Sequence, residues 1–140
     1  MAKKTSSSVI IDTGFIYALY CKKDSYHSRA KEAAIKYNHM EWVTTCFVFQ
    51  ELYWLLSETS PIQIFEAERA GIFRIMDFER SQLTELEKVV KKYSDCQIDL
   101  ADASLVLLAE TLGHGNILST DIKDFTVYRW DRTNSFNLLM

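Results

Sequence analysis

The sequence predicts an α/β fold with a central, mostly parallel sheet of about five strands and with helices on both faces of the sheet. Short apolar strand candidates alternate along the chain with segments of helical periodicity, which is the element order of α/β proteins. The strand candidates are apolar at consecutive positions, which is typical of strands that are covered on both faces. Neither an internal repeat nor a linker interrupts this order, so a single domain is expected.

The first half of the chain contributes two of the predicted strands. Val9–Ile11 is β-branched and lies between Ser8 and Asp12, so it predicts a buried strand, and Glu41–Thr44 predicts a second. Apolar residues at three- and four-residue steps predict four helices. The first covers 15–21, and the second runs from a cap at Asp24 or Ser25 to Tyr37. The third begins at Phe47 and stops near Ser60–Pro61, and the fourth runs from Pro61, with Ser60 as cap, to Ala70.

The second half contributes the remaining three strands. Ile72–Phe78 and Asn116–Ser119 predict two of them, and Asn134–Leu139 predicts a fifth strand at an edge. A helix is predicted from Ser81 to Tyr93. Another is predicted at 100–112, with Asp99 as its N-cap and Gly113 at its end.

Composition and charge exclude several classes of protein. The 140 residues are 48% hydrophobic and 25% charged, as in globular domains rather than disordered chains. No apolar run approaches the length of a membrane span and the N-terminus lacks the apolar core of a signal peptide, so a cytoplasmic protein without membrane attachment is expected. We predict a flexible tail at residues 1–7 and one domain at 8–140.

The net charge of −3 argues against a protein that coats nucleic acid over its whole surface, although a local basic stripe remains compatible with it. The three cysteines are widely spaced and form no CxxC pair. This pattern predicts free, mostly buried thiols rather than disulfides or a zinc site.

Four acidic residues fall where a parallel sheet would bring them to one edge. Asp12 ends the first strand, Glu51 lies in the helix after the second strand, Asp102 lies in the first turn of the helix capped by Asp99, and Asp121 follows the fourth strand. Each has an ordinary structural explanation when taken alone, such as a helix cap, a solvated helix position or a turn. Four separate explanations are a weaker hypothesis than one pocket that the four acids share.

Clustered carboxylates repel one another, so they become protonated or they bind a cation. The pattern offers oxygen ligands and no nearby histidine or cysteine, which favours Mg²⁺ or Mn²⁺ over zinc. Such a site suits phosphoryl chemistry, because the cation activates water and neutralises charge on the phosphate.

These segments resemble the PIN-domain family and, within it, the VapC-like toxin ribonucleases. The resemblance extends over about residues 8–126. Its elements are the strand that ends in Asp12, the helix with Glu51, the segment Asp99–Ala103, and the segment Ile117–Phe125, which is similar to the family's strand followed by Thr-x-Asp-x-x-Phe. Ser119 stands where the family often has threonine, and it keeps the hydroxyl.

The resemblance implies a PIN-like fold and metal-dependent endonucleolytic cleavage of RNA that leaves 5′-phosphate and 3′-hydroxyl ends. It assigns the family's acidic metal-binding site to Asp12, Glu51, Asp102 and Asp121, with Asp121 as the acid that varies most in the family. It also implies the toxin role of a type II toxin–antitoxin pair, a small antitoxin partner and a homodimer. Asp99 is expected to cap its helix and Asp124 to orient a loop.

Substrate RNA, with tRNA and rRNA as candidates, needs positive charge beside an acidic pocket. Lys22 and Lys23 after the first helix, and Arg129, Trp130 and Arg132 after the Asp121 segment, are candidates, with Trp130 offering a ring for base stacking. Ordinary solvated surface remains the alternative for each of them. Likewise, the many large apolar side chains around Glu51 and Pro61 suit either a partner surface or a thick core.

The sequence is less consistent with three other functions than with a nuclease. A non-catalytic RNA-binding or protein-interaction module of the same fold is the main alternative, but it would gain nothing from clustered acids. An aspartyl-nucleophile phosphatase needs a second acid two residues after the first, where this chain has Gly14. A receiver domain needs paired acids near Asp12, and that pairing is absent.

Overall fold

Strands and helices alternate in the computed structural model, which describes residues 7–140. Seven strands lie within these residues: β1 (Ser8–Ile11), β2 (Glu41–Thr45), β3 (Arg74–Met76), β4 (Asn116–Leu118), β5 (Arg129–Trp130), β6 (Asn134–Ser135) and β7 (Asn137–Leu138). Seven α-helices lie within them: α1 (Thr13–Tyr20), α2 (His27–Lys36), α3 (Cys46–Leu55), α4 (Ile62–Arg69), α5 (Leu83–Lys92), α6 (Leu100–Leu112) and α7 (Ile122–Val127). Short 3₁₀ helices occupy Arg80–Gln82 and Ser94–Cys96.

Five strands form one parallel sheet in the order β3-β2-β1-β4-β7. The central strand β1 pairs with β2 on one side and β4 on the other, with Val9 opposite Trp42 and Ile10 opposite Ile117. All three of Val9, Ile10 and Ile11 are fully buried. Because successive side chains point to opposite faces, both faces of the sheet are covered, and the predicted fold class is confirmed.

The predicted edge strand at 134–139 divides into two short strands with different partners. β7 extends the parallel sheet by pairing with β4, as expected for an edge. β6 instead pairs antiparallel with β5 in a separate hairpin. The hairpin tip places Asp131 and Arg132 at φ of 46° and 72°, so the chain reverses direction within a few residues.

Three other elements differ from the prediction. The second helix begins at His27 rather than at Asp24 or Ser25, because Asp24 uses its side chain in a turn and accepts from the Tyr26 amide at 2.8 Å. The third strand covers only Arg74–Met76 of the predicted 72–78. Helix α7 was not predicted, although Asp121 caps it with its side chain.

The N-terminal residues and the cysteines were also the subject of predictions. Residues 1–6 of the predicted tail lie outside the described residues, and the Ser7 carbonyl accepts a hydrogen bond from the Glu41 amide at 3.0 Å. The cysteines are free, but the expectation of burial was wrong, since Cys46 and Cys96 are exposed and Cys21 is partly exposed. Within residues 7–140, no helix has the length and apolar character needed to cross a bilayer.

Candidate active site

Asp12 lies at the carboxyl end of the central strand and caps the helix that follows. Its Oδ1 accepts from the Phe15 amide at 2.8 Å, and its Oδ2 accepts from the Ser119 hydroxyl. Asp12 therefore does cap α1, and it also lies among the acids at this edge of the sheet. The residue is 4% exposed, so its carboxylate is nearly removed from water.

Ser119 joins Asp12 to the segment after β4. Its fully buried hydroxyl donates to Asp12 and accepts from the Asp121 amide at 2.9 Å. Close packing here depends on Gly14, because a Cβ at this position would overlap the Thr120 hydroxyl. The first turn of α1 thus lies directly against the turn that carries Asp121.

Asp102 comes to the same edge from the first turn of α6. Asp99 caps this helix as predicted, since its Oδ1 accepts from the Asp102 amide at 2.8 Å. Asp102 itself accepts a hydrogen bond from the Tyr128 hydroxyl at 3.1 Å. The cap fixes the backbone at the start of α6, and the tyrosine engages the side chain.

Asp121 and Asp124 are held one helical turn apart at the start of α7. The Asp121 Oδ1 accepts from the Asp124 amide at 3.2 Å. One carboxylate oxygen from each of Asp102, Asp121 and Asp124 lies within 4.8 Å of the others. Asp124, which was expected to orient a loop, therefore belongs to the cluster, because the unpredicted helix turns it towards Asp102.

Glu51 approaches this cluster from the other side, on α3. It lines a cleft of about 490 Å³ between α3 and the start of α6, together with Asp99 and the aromatic side chains of Phe47 and Trp54. The charge of Glu51 raises the pKa of Asp12, as does the charge of Asp121. The structure thus brings all four predicted acids to the carboxyl edge of the sheet, but of these only Asp102 and Asp121 belong to the tight trio, which Asp124 completes.

Burial and repulsion change the protonation of the cluster. Burial, with smaller contributions from Asp121 and Glu51, raises the pKa of Asp12 to about 7, although the hydrogen bonds from Ser119 and Phe15 oppose this. Burial, followed by the charges of Asp99, Asp12 and Asp121, raises the pKa of Asp102 to about 8, against the hydrogen bond from Tyr128. Burial also raises the pKa of Asp121.

None of the ion pairs within residues 7–140 neutralises these acids. The pairs join Arg74 to Glu41, Lys88 to Glu85 and Lys91 to Glu87, all on exposed surface. A set of carboxylates without a basic partner, with oxygen atoms less than 5 Å apart, is a donor set that fits a hard divalent cation. Mg²⁺ and Mn²⁺ therefore remain the expected ions.

The residues predicted to contact RNA lie farther apart from one another than the acids do. Lys22 and Lys23 follow the far end of α1, which is about 12 Å long, so a full helix separates them from Asp12. One nitrogen of the Arg129 guanidinium donates to the carbonyls of residues 126, 127 and 128 at 2.7, 3.2 and 2.9 Å. The guanidinium of Arg129 is thus bound to the end of α7.

Trp130 and Arg132 lie in the hairpin. The indole Nε1 of Trp130 donates to the Ser135 carbonyl at 3.1 Å, and its ring is partly buried against Gly115. Arg132 is exposed and lines a cleft of about 340 Å³ between α5, α6 and the hairpin, with Lys88 and Lys92. Of the five predicted residues, Arg132 and the two lysines after α1 have exposed side chains.

Tyr128 was not predicted, because no spacing pattern in the sequence marks it. It follows α7 directly and is 2% exposed. Its place three residues after Phe125, against which its ring packs, is the only sequence signal that relates it to the segment carrying Asp121.

The chain is similar to known proteins over most of its length. The PIN domain family matches residues 9–129. Ribonuclease VapC26 of Mycobacterium tuberculosis is 24% identical over 125 residues, which are 86% of this chain and 92% of the relative. The crystal structure of VapC20 of M. tuberculosis, described as a toxin that cleaves the sarcin-ricin loop, has a TM-score of 0.71 at 18% identity, covering 83% of this chain and 92% of that one.

Proposed function

Since this chain belongs to the PIN domain family, we propose that it is an endoribonuclease that depends on Mg²⁺ or Mn²⁺ and acts as the toxin of a type II toxin–antitoxin pair. The observation that carries the proposal is the convergence of Asp102, Asp121 and Asp124 within 4.8 Å, beside the buried Asp12 and without a basic partner among residues 7–140. The resemblance of the chain to ribonuclease VapC26 supports the choice of RNA as substrate.

Asp12, Asp102 and Asp121 are the proposed metal ligands, with Glu51 as a further ligand or as the residue that orients water. Asp124 joins this set because its carboxylate lies within reach of the same position. The bound cation would activate water and neutralise charge on the scissile phosphate.

The chain's own contribution is to hold carboxylates together that would otherwise separate. The amides of Phe15 and Asp124 and the hydroxyl of Ser119 each donate to one of these acids, which fixes their side chains. Ser119 also holds the turn that carries Asp121 against Asp12 through the Asp121 amide. Such ordering lowers the cost of assembling the site when RNA arrives.

RNA would approach this acidic edge along exposed positive charge. Arg132 in the hairpin and Lys22 and Lys23 after α1 are proposed contacts, and Arg129 and Trp130 would support the hairpin that presents Arg132. The substrate class extends to structured RNAs such as tRNA and rRNA. A protein that acts on these RNAs would work in the cytoplasm.

A small antitoxin and a second copy of the chain are the proposed protein partners. Exposed apolar side chains on α3 and α4 provide a candidate surface for the second copy, named here the α3–α4 patch: Tyr53, Trp54, Leu55, Ile62 and Phe65. Ile64 in the same region is fully buried in the core, whereas Trp54 is 77% exposed, so a thick core accounts for only some of these large apolar side chains.

The direct test incubates the purified protein with tRNA and rRNA and maps the ends of the products. We expect cleavage with Mg²⁺ or Mn²⁺ and none with a chelator, with 5′-phosphate and 3′-hydroxyl ends. Asp12→Asn should lower the rate by roughly 100-fold or more, because the cation contributes several kcal/mol of transition-state stabilisation.

The matched control is Asp95→Asn, which removes an exposed acid from a 3₁₀ helix outside the cluster. Its rate should equal that of the wild type. RNA binding that needs no metal, without cleavage, would instead support a non-catalytic module of the same fold. Unchanged turnover in Asp12→Asn would remove Asp12 from the site.

A further inference from the structure

The hydroxyl group of Tyr128 connects two helices that carry the acids. Tyr128 follows α7, whose first turn contributes Asp121 and Asp124, and its hydroxyl donates to the Asp102 carboxylate on α6 at 3.1 Å. The Tyr128 amide also donates to the Asp124 carbonyl at 3.0 Å, so the backbone of Tyr128 is held at the end of α7. The Tyr128 side chain therefore joins the Asp102 carboxylate to the helix whose first turn carries Asp121 and Asp124.

The ring of Tyr128 is held firmly enough to position its partner. It is 2% exposed and packs edge-on against Tyr93 and Phe125, with ring centroids 5.1 and 5.2 Å away. The hydroxyl of Tyr93 is engaged away from the acids, since it accepts from the Arg129 amide at 2.7 Å. An aromatic side chain packed in this way has little freedom to follow Asp102 if that carboxylate turns away.

The chemistry of the donor also matters. A lysine or arginine beside Asp102 would neutralise the carboxylate and would compete with a cation for it. A phenol donates one hydrogen bond, engages one of the two carboxylate oxygens and leaves the negative charge in place. Neutral donors of this kind orient metal ligands in many proteins, and their loss lowers metal affinity or activity by about 10- to 100-fold.

We propose that Tyr128 is a positioning residue, whose hydroxyl holds the Asp102 carboxylate towards Asp121 and Asp124 so that the three bind one divalent cation. This inference rests on the proposed function, because it assigns Tyr128 a part in the same metal site. Tyr128 acts through its hydrogen bond to Asp102.

The test measures Mn²⁺ binding by titration calorimetry in the wild type, Tyr128→Phe and Asp102→Asn. Tyr128→Phe removes only the hydroxyl, and its Mn²⁺ dissociation constant should rise roughly 10-fold or more. In the Asp102→Asn background, the same change should have no further effect, since the residue through which Tyr128 acts is already altered. In RNA cleavage at a fixed Mn²⁺ concentration below saturation, kcat of Tyr128→Phe should fall while the KM for RNA stays constant, and saturating Mn²⁺ should restore the rate.

Tyr93→Phe is the matched control. It removes a buried tyrosine hydroxyl from the same aromatic group, but one that hydrogen-bonds the backbone of Arg129 rather than an acid. Mn²⁺ affinity should be unchanged in this variant, whatever its thermal stability. An equal loss in Tyr93→Phe would reduce Tyr128 to a packing residue and overturn the inference.

Two further outcomes separate this inference from the proposed function. If the wild type binds Mn²⁺ and Tyr128→Phe binds it equally well, the positioning role is wrong and the metal site stands. If the wild type binds no Mn²⁺ at all, both are wrong.

Discussion

At the residue level, burial and repulsion give Asp12 and Asp102 protonation states that free aspartates do not adopt near neutral pH. Their pKa values are raised to about 7 and about 8 in the folded chain, against about 3.9 in unfolded chains. Between these values the folded state binds more protons than the unfolded state, so the free energy of unfolding falls as pH rises. The stabilisation is fully present below about pH 4 and is lost by about pH 8.

This difference predicts that the metal-free wild type becomes less stable from pH 6 to pH 8.5. The Asp102→Asn variant should lose less stability than the wild type over the same range. An amide cannot ionise, so the contribution of Asp102 disappears. Each kcal/mol corresponds to roughly 4 °C in a chain of this size. Thermal melts in the presence of a chelator measure the effect, and addition of Mg²⁺ should raise the melting temperature of the wild type more at pH 8.5 than at pH 6.

Asp95→Asn serves as control, because it removes an exposed carboxylate from the same chain. Its melting temperature should follow the wild type across the pH range. Identical pH profiles for Asp102→Asn and the wild type would show that Asp102 does not titrate with the folded state.

Residue positions were predictable from the sequence where the backbone determines them. Asp12 follows a strand, Asp102 lies in a capped first turn and Asp121 follows another strand, so topology alone brings them to one edge. The inclusion of Asp124 depends on an unpredicted turn of helix, and that of Tyr128 on the direction of a ring. No residue spacing in the sequence predicts either of these two placements.

At the level of elements, long periodic segments were predicted better than short ones. Helix α6 was predicted at its observed bounds, from the Asp99 cap to Gly113, which adopts a φ of 75°. The strand predicted at 134–139 divides, because its two short parts pair with different partners. Two-residue strands owe their existence to tertiary pairing, which local sequence does not encode.

Helices α3 and α4 expose apolar side chains. From the sequence alone, these residues suited either a thick core or a partner surface. The α3–α4 patch predicts self-association, and Trp54→Asp should raise the dimer dissociation constant roughly 10-fold or more, since a central exposed tryptophan contributes strongly to an interface. Sedimentation equilibrium over a range of concentrations measures this effect.

Ile35→Asp is the control for this experiment. Ile35 is 71% exposed but lies on α2, outside the α3–α4 patch. Its substitution should leave the dimer intact. A wild type that remains monomeric at every concentration would contradict the proposed homodimer.

For the molecule as a whole, the parallel sheet explains how acids separated by about a hundred residues meet. Strands β1 and β4 are neighbours and run in the same direction, so Asp12 and Ser119 follow adjacent strand ends and form a hydrogen bond. Burial of the sheet on both faces makes this arrangement rigid. The same arrangement leaves carboxylates together without a basic partner among residues 7–140.

The most direct test of the account is a Mg²⁺ titration measured by calorimetry. It compares the chelator-treated wild type with the Asp121→Asn and Asp124→Asn variants. Saturable binding to the wild type, at a fixed number of ions per chain and weakened in both variants, is the result that a shared cation site predicts. Binding that is absent from the wild type, or equally strong in all three proteins, would contradict it.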